Sequence, residues 1–257
     1  MRIITANVNG LRSAVKKGFF EWILQVAPDV LCLQETKAQL HQGEDGDFSL
    51  PGYTAYYHDA VKRGYSGVAI YTRAVPTHVT RGLGFDLADT EGRYIQVDFP
   101  HVSIASLYLP SGSSGPERQA QKFIFLDRLE GILQKLRATH RAFVICGDWN
   151  IVHKRIDIKN FTGNQKHSGC LPEERAWLDK VFGDWGWIDG FRVVNQLPEQ
   201  YTWWSNFGQA YAKNVGWRID YQVMTPDLAS HVKSALIYKE QKFSDHAPLI
   251  LDYDVTL

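Results

Sequence analysis

The sequence predicts a mixed α/β protein in which β-sheets pack between helices. Eight short apolar runs, each bounded by Gly, Pro, Asn or Asp, are typical of strands. Three longer segments carry apolar residues at helical spacing or a helix start signal. Neither a Pro/Gly/Ser-rich linker nor a long run of charges interrupts the 257 residues, so we expect a single domain over residues 1–257.

The predicted strands are rich in Val, Ile, Tyr and Phe, which favour the extended backbone. They cover residues 2–7, 29–35, 67–73, 94–99, 102–110, 142–150, 218–224 and 246–255. A further short strand is predicted at Trp203 and Trp204. Because successive side chains of a strand point to opposite faces, these two indole rings cannot enter the same core.

The clearest predicted helix covers residues 116–137, where Phe, Leu and Ile recur at helical spacing on a polar background. A second helix begins at Pro172, because Pro and acidic residues favour a first helical turn and both stand there. A third is predicted over residues 17–26. Strands outnumber these helices, which indicates inner sheets covered by outer helices.

Composition excludes several classes of protein. Lys plus Arg and Asp plus Glu number 28 each, which excludes a general electrostatic attraction to nucleic acid or membrane but allows a local basic face. Cys32, Cys146 and Cys170 stand far apart, so neither a CxxC metal clamp nor a disulfide framework is expected. The sequence shows neither a signal-peptide pattern nor an apolar stretch of about 18 residues. We therefore expect a reduced, cytoplasmic, monomeric protein with no membrane partner.

Polar residues gather where the predicted strands begin or end. Asn7 ends the first strand, Glu35 ends the second and Tyr108 lies in the fifth. The other members are Asp148 and Asn150 at the end of the sixth strand, Asp220 in the seventh, and Ser244, Asp245 and His246 before the last. If the strand ends share one edge, these groups form one site. Their carboxylate and amide oxygens suit Mg²⁺ or Mn²⁺ and a phosphate substrate, not zinc or copper.

Each of these residues also has an ordinary structural explanation. An Asn at a strand end is usually a turn residue, GDWN alone is compatible with a tight turn, and a Tyr in a strand usually packs in a core. We favour a functional site because polar residues follow the rhythm of the strands along the whole chain.

A series of motifs carries a specific resemblance. In order they are NVNG at 7–10, LQETK at 33–37, GYSGVAIYTR at 64–73, EGRY at 91–94, YLP at 108–110, GDWN at 147–150, PEERAWLD at 172–179, GWRIDY at 216–221 and SDHAPL at 244–249. The chain resembles, over essentially its whole length, the exonuclease III type of abasic-site endonucleases in the endonuclease/exonuclease/phosphatase superfamily. This resemblance implies a four-layer α/β sandwich, with two mixed β-sheets packed face to face and flanked by helices.

The resemblance also implies roles for single residues. Glu35 is expected to be the principal ligand of Mg²⁺ or Mn²⁺, with Asn7 and Asp245 around it. Asp148 is expected to orient or deprotonate the attacking water, and Asn150 to hydrogen-bond the water or a phosphate oxygen. Tyr108 is expected to contact the phosphate. Asp220 is expected to orient His246, which faces the phosphate oxygens. Physical chemistry supports such roles, since phosphodiester hydrolysis needs charge stabilisation on the phosphoryl oxygens.

Substrate contacts are implied at two further places. In the family, the first aromatic residue of the Trp pair and the Trp of GWRIDY wall a pocket for an extruded sugar. The resemblance implies that Trp203, Trp217 and Ile219 form this pocket here, which suits a baseless deoxyribose. The basic stretch from His153 to Arg175 lies beside the DNA backbone in relatives. On composition alone this stretch is also compatible with a solvated loop.

One segment departs from the family pattern. Relatives that cut internal abasic sites often carry an Asn-Ala-Gly-Phe type of segment where this chain reads His167, Ser168, Gly169 and Cys170. We expect the bulky His167 to restrict entry of continuous duplex. The predicted function is therefore a metal-dependent DNA repair phosphohydrolase acting on 3′ ends, as 3′-5′ exonuclease, 3′-phosphatase and 3′-phosphodiesterase. Its expected partner is double-stranded DNA with 3′ ends, nicks or abasic sites.

Three alternatives stay open. The first is a general abasic-site endonuclease of base excision repair. The second is a phosphohydrolase of the same superfamily acting on lipid, inositol or nucleotide substrates, against which the Trp pair and GWRIDY argue. The third is a non-enzymatic RNA- or protein-binding regulator on the same fold, against which the retained acids and His246 argue.

Overall fold

The computed structural model describes residues 1–41 and 47–257. The strands are β1 (Arg2–Asn7), β2 (Val30–Gln34), β3 (Thr54–His58), β4 (Val68–Thr72), β5 (His78–Arg81), β6 (Tyr94–Asp98), β7 (Val102–Tyr108), β8 (Ala142–Asp148), β9 (Ile188–Asp189), β10 (Trp203–Trp204), β11 (Gly216–Trp217), β12 (Asp220–Met224), β13 (Val232–Ile237) and β14 (Leu249–Tyr253). The α-helices are α1 (Leu11–Lys16), α2 (Phe19–Val26), α3 (Asp86–Asp89), α4 (Pro116–Ala138), α5 (Phe161–Asn164), α6 (Pro172–Phe182) and α7 (Gly190–Val194). Short 3₁₀ helices cover Arg155–Asp157 and Pro226–His231.

Two six-stranded mixed sheets form the centre of the molecule. Their strand orders are β13-β14-β1-β2-β4-β3 and β5-β6-β7-β8-β12-β9. Each contains one parallel pair, β1 with β2 and β7 with β8, whereas the other described pairs are antiparallel. The expected four-layer sandwich is therefore confirmed.

The layers follow from which faces are apolar. In β2, Val30 and Cys32 belong to the core between the sheets, whereas Leu31 and Leu33 pack toward α1 and α2. A strand buried on both faces reads as a continuous apolar run, which explains VLCL. On the other side, α4 and α6 cover the second sheet through a third apolar cluster. Within the described residues, no helix combines the length and apolarity that a membrane span requires.

The sequence predictions and the structure agree on the inner elements and differ at the edges. All eight predicted strands and all three predicted helices are present, with ends shifted by a few residues. The missed strands of the two sheets, β3, β5, β9 and β13, are their four outermost strands, and the two-residue strand β11 beside β10 was missed as well. An edge strand has one neighbour and often one solvated face, so it lacks the dense apolar run that marks a central strand.

A buried ion-pair network fixes the start of β12. The Arg218 guanidinium donates from Nε to Asp157 Oδ1 at 2.8 Å and from Nη2 to Asp189 Oδ2 at 2.6 Å. Arg192 donates to the same oxygen of Asp157 at 2.7 Å. The side chains of Arg218 and Asp157 are only 1% and 2% exposed. This network links the segment that follows Trp217 to the 3₁₀ helix Arg155–Asp157 and to β9.

We expect Asp157→Asn to lower the free energy of unfolding by about 3 kcal/mol at pH 7, because it leaves buried guanidinium groups with less compensation. Burial opposes ionisation of Asp157, but Arg218 and Arg192 lower its pKa to about 2. An unfolded Asp titrates near pH 4, so this stabilisation is present above about pH 4 and is lost as the pH falls toward 2. Urea unfolding at several pH values measures it.

A matched control is Asp254→Asn, which removes the exposed partner of Lys233. Exposed pairs contribute about 0–1 kcal/mol, so its unfolding curve is expected to lie near that of the wild type. Equal losses in the two variants would contradict a special role for the buried network.

Candidate active site

The parallel strand pairs of the two sheets bring the predicted polar residues to one edge. Asn7 ends β1, and Glu35 follows its parallel neighbour β2. In the other sheet Tyr108 and Asp148 end the parallel strands β7 and β8 in register. Because β12 runs antiparallel to β8, its first residue, Asp220, lies opposite Asp148. Residues at the ends of different strands, which are far apart in sequence, thus become neighbours in space.

The last strand completes the site. His246 precedes β14, which runs antiparallel to β1 and so starts at the same edge, and an isolated bridge links His246 to Trp203. A cleft of about 650 Å³ opens here. It is lined by ten of the twelve predicted site residues, namely Glu35, Tyr108, Asp148, Asn150, His167, Trp203, Trp217, Ile219, Asp245 and His246. Asn7 and Asp220 lie just behind its wall, each 1% exposed.

The turn at residues 147–150, named the catalytic turn because the resemblance implies catalytic roles for Asp148 and Asn150, has a constrained backbone. A Cβ on Gly147 would lie 1.8 Å from the carbonyl oxygen of Leu107, so only glycine allows β7 and β8 to approach this closely. Asn150 adopts a left-handed conformation with φ 51°. Its N–H donates to Asp148 Oδ1 at 2.9 Å and its Nδ2 donates to the Leu109 carbonyl at 2.8 Å. These bonds hold the strained turn in place.

His246 lies between two buried carboxylates. Its Nδ1 donates to Asp220 Oδ2 at 2.8 Å, and its Nε2 lies 3.8 Å from Asp148 Oδ2. Burial alone would lower the pKa of His246, but the charges of Asp220 and Asp148 raise it to about 10. Burial raises the pKa of Asp148 to about 7, with the Asp220 charge adding to this effect and the His246 charge opposing it.

These three side chains place possible metal-ligand atoms within 4.8 Å of one another. A protonated imidazole has no free lone pair, however, and a histidine with a raised pKa is a hydrogen-bond donor at neutral pH. The geometry and charge of Asp148, Asp220 and His246 therefore fit a cationic donor facing an anion better than they fit a metal centre.

Two other acids fit a hard divalent cation. Burial would raise the pKa of Glu35, but Lys37 and the Asn7 amide lower it. Burial likewise opposes ionisation of Asp245, but the His246 charge and hydrogen bonds from Asn9 and Trp203 lower its pKa. Both carboxylates are therefore anionic and line the same cleft. Anionic oxygen donors are the ligands that Mg²⁺ and Mn²⁺ prefer.

Asn7 faces these acids with its nitrogen. Its Nδ2 donates to Glu35 Oε1 and to Asp148 Oδ2, at 2.9 Å each, while its Oδ1 accepts the Asn9 N–H at 3.0 Å. The structure thus shows Asn7 linking the two carboxylates; its expected role as a metal ligand stays a prediction. Asn9 and Lys37, which the predicted site omitted, extend this network, and both stand in the quoted motifs NVNG and LQETK.

Aromatic rings form the opposite wall of the cleft. Trp203 and Trp217 meet edge to face, with ring centroids 5.9 Å apart, and Ile219 packs with them. Trp203 Nε1 donates to Asp245 Oδ2 at 3.0 Å, which ties this wall to the acidic side. As the alternation of side chains predicts, Trp204 instead points into the core and is buried. The cleft is therefore charged on one side and apolar on the other.

The mouth loop, residues 167–171, borders the cleft. His167 is exposed and lines the cleft, and its N–H donates to the Asn164 carbonyl at 2.9 Å. Facing residues of the segment 111–119, which the site prediction omitted, also line it. Their sequence signal is the Ser/Gly-rich stretch between a predicted strand and the long predicted helix.

Two of the five Lys and Arg residues in the basic stretch 153–175 form ion pairs within the protein. Lys154 forms an ion pair with Asp179, and Lys159 forms one with Glu199. Lys166 lines the cleft. The composition of this stretch therefore overstates its free positive charge.

Comparisons with known proteins agree with this geometry. The model of the Endonuclease/Exonuclease/phosphatase family matches residues 4–246. The chain is 35% identical to an exodeoxyribonuclease of Bacillus subtilis, covering 98% of each, and 37% identical to the DNA repair nuclease APEX1 of Danio rerio, covering 98% of this chain and 81% of the relative. The structure of the 3′-5′ exonuclease NExo from Neisseria meningitidis superposes with a TM-score of 0.89 at 26% identity, over 99% of this chain and 100% of that one. The chain belongs to the endonuclease/exonuclease/phosphatase family, and within it to the exonuclease III type.

Proposed function

We propose that this protein is a divalent-metal-dependent DNA repair phosphohydrolase that acts on DNA 3′ ends, as 3′-5′ exonuclease, 3′-phosphatase and 3′-phosphodiesterase. One observation carries the proposal: a single cleft joins two anionic carboxylates, a charged His246 and an apolar Trp wall. The acidic and cationic groups suit a phosphate ester, and the apolar wall suits a deoxyribose. The relatives, named as DNA nucleases, support the same substrate class.

In the proposed mechanism His246 donates hydrogen bonds to the non-bridging phosphate oxygens, and Asp220 orients its ring. Asp148, beside the cleft and linked to Asn150, orients the attacking water and accepts its proton. Asn150 and Tyr108 hold the phosphate or the water. Because Asp148, Asp220 and His246 are buried and already hydrogen-bonded, these three groups need little reorganisation in the transition state.

The cation is proposed to bind at Glu35 and Asp245, with Asn7 beside them, and Mg²⁺ or Mn²⁺ fits the oxygen donors. Such an ion acts as a Lewis acid that offsets developing charge on the phosphoryl oxygens. The chain itself contributes the two anionic ligands, and the neighbouring charge of His246 helps to keep Asp245 ionised.

Internal abasic sites are the second candidate substrate, because the chain is also 35% identical to a DNA-(apurinic or apyrimidinic site) endonuclease of Dictyostelium discoideum, covering 97% of this chain and 69% of the relative. The exposed His167 at the cleft argues for the narrower activity on 3′ ends. A Mg²⁺-dependent cleavage assay on two labelled duplexes tests both, one with an internal abasic-site analogue and one with a nick bearing a 3′-phosphate. Processing of the nick alone supports the main proposal, cleavage of both supports the general endonuclease, and no cleavage contradicts both.

We expect His246→Asn and Asp148→Asn each to lower kcat on the 3′-phosphate nick by about 10²–10³-fold, because each removes a contact made in the transition state. Steady-state kinetics and thermal unfolding measure activity and fold separately. His231→Asn is the control, since His231 bonds the Asp254 carbonyl at the opposite end of β14. Activity retained in a folded His246 or Asp148 variant would refute the assigned roles.

We expect EDTA to abolish cleavage and Glu35→Gln to weaken Mn²⁺ binding by about tenfold or more, because one anionic ligand is lost. Isothermal titration calorimetry with Mn²⁺ measures binding without reference to activity. Asp252→Asn, which changes an acid paired with Arg2 outside the cleft, serves as the control. Unchanged Mn²⁺ affinity in Glu35→Gln would move the metal site elsewhere.

We expect His167→Gly to raise incision at internal abasic sites about tenfold relative to 3′-phosphate removal, because it removes a steric clash with continuous duplex. The ratio of the two rates on the duplexes above measures this change. His101→Gly changes an exposed histidine at the far end of β7 and is expected to leave the ratio unchanged. The same ratio in His167→Gly and wild type would exclude this residue as a gate.

A further inference from the structure

A buried ion pair lies directly behind the wall of the cleft. Nζ of Lys122 in α4 lies 2.7 Å from Oε1 of Glu174 in α6, and neither side chain is exposed to solvent. Two charges removed from water are costly unless neighbouring polar groups also bond to them. Here each partner holds a different part of the cleft.

Lys122 holds the catalytic turn. Its Nζ donates to the carbonyl oxygen of Asn150 at 2.8 Å. Asn150 is left-handed, and its N–H donates to the carboxylate of Asp148 at 2.9 Å. The ammonium group therefore fixes the peptide that follows the proposed catalytic residue.

Glu174 holds the mouth loop. Its Oε2 accepts the N–H of Gly169 at 2.6 Å and the N–H of Leu171 at 3.1 Å. Its Oε1 accepts the Gln119 side-chain amide at 3.0 Å. Without this carboxylate the two loop amides lose their acceptor.

The loop and the turn are also in direct contact. Gly169 has φ +88°, and a Cβ built on it would lie 2.9 Å from the Asn150 carbonyl oxygen and 3.1 Å from a ring carbon of Trp217. The loop backbone therefore packs against both the catalytic turn and the aromatic wall. A shift of the loop is transmitted to both.

We propose that Lys122 and Glu174 are positioning residues that hold the catalytic turn and the mouth loop at a fixed separation, and that this separation sets the preference between free 3′ ends and internal abasic sites. The inference rests on the proposed function and deepens it. When Glu174 releases the loop, the cleft admits continuous duplex more readily. When Lys122 releases Asn150, the catalytic turn moves and the chemical step slows on every substrate.

Three variants test the two halves of the pair on the same two duplexes. Glu174→Met, which removes both acceptor oxygens of residue 174, is expected to raise the ratio of internal incision to 3′-phosphate removal about tenfold. Lys122→Met is expected to lower kcat on both substrates by about 10- to 100-fold with little change in KM, because misplacement affects the chemical step more than binding.

The double variant Lys122→Met/Glu174→Met separates positioning from stability. It contains neither buried charge, so its Tm is expected to exceed that of either single variant. Its kcat is expected to stay low, because Asn150 has still lost its anchor. The double variant also decides the matter if a single variant fails to fold.

Tyr253→Phe is the matched control for general destabilisation. The buried Tyr253 hydroxyl donates to Gln222 Oε1 at 2.9 Å, away from the cleft, so its loss is expected to lower Tm and leave kcat and the substrate ratio unchanged. Wild-type kcat and ratio in the double variant would overturn the inference. A wild-type protein that processes neither duplex would instead overturn the proposed function on which the inference rests.

Discussion

The structure depends on two parallel strand pairs that end at the same edge, β1 with β2 in one sheet and β7 with β8 in the other. Parallel neighbours end side by side, so each sheet places the ends of two adjacent strands at this edge. The antiparallel neighbours β12 and β14 then begin there and supply Asp220 and His246. Face-to-face packing of the sheets brings the two groups into one cleft. Residues as distant in sequence as Asn7 and His246 thereby share a site.

Each polar group buried at this site must be hydrogen-bonded or paired to offset the cost of removing it from water. Asp148 and Asp220 are 1% exposed, and unpaired charges at that depth would destabilise the fold strongly. Linked hydrogen bonds stabilise these carboxylates: Asn7 donates to Glu35 and Asp148, and His246 donates to Asp220. Behind the cleft, the ion pair of Lys122 and Glu174 bonds to the backbone of the catalytic turn and of the mouth loop. The polar order that makes burial tolerable also prepares the site to bind charge without rearrangement.

The sequence predicted the central strands and the residues at their ends because both leave local patterns. A buried strand is a continuous apolar run, and a polar residue at its end interrupts that run visibly. The edge strands lack the first signal, since β5 reads HVTR and three residues of β13 are exposed. Lys122 and Glu174 lack the other signal, because neither stands at the end of an apolar strand. Each stands in a helix among other charged residues, and only the packing of α4 on α6 shows that both are buried. The roles of the single site residues came from resemblance, and the strand ends alone left them open.

The distribution of charge favours recognition at the end of a strand over a grip along the duplex. Affinity for DNA grows with the number of phosphates that free cations neutralise. The net charge here is zero, and Lys154 and Lys159 are already paired with acids. Each such pair must break before its lysine can bind a phosphate, which reduces the gain in binding free energy only slightly because both pairs are exposed. The groups suited to a reacting phosphate and its sugar lie together inside the cleft. Interactions made there can stabilise the transition state directly, as an enzyme that processes 3′ ends requires.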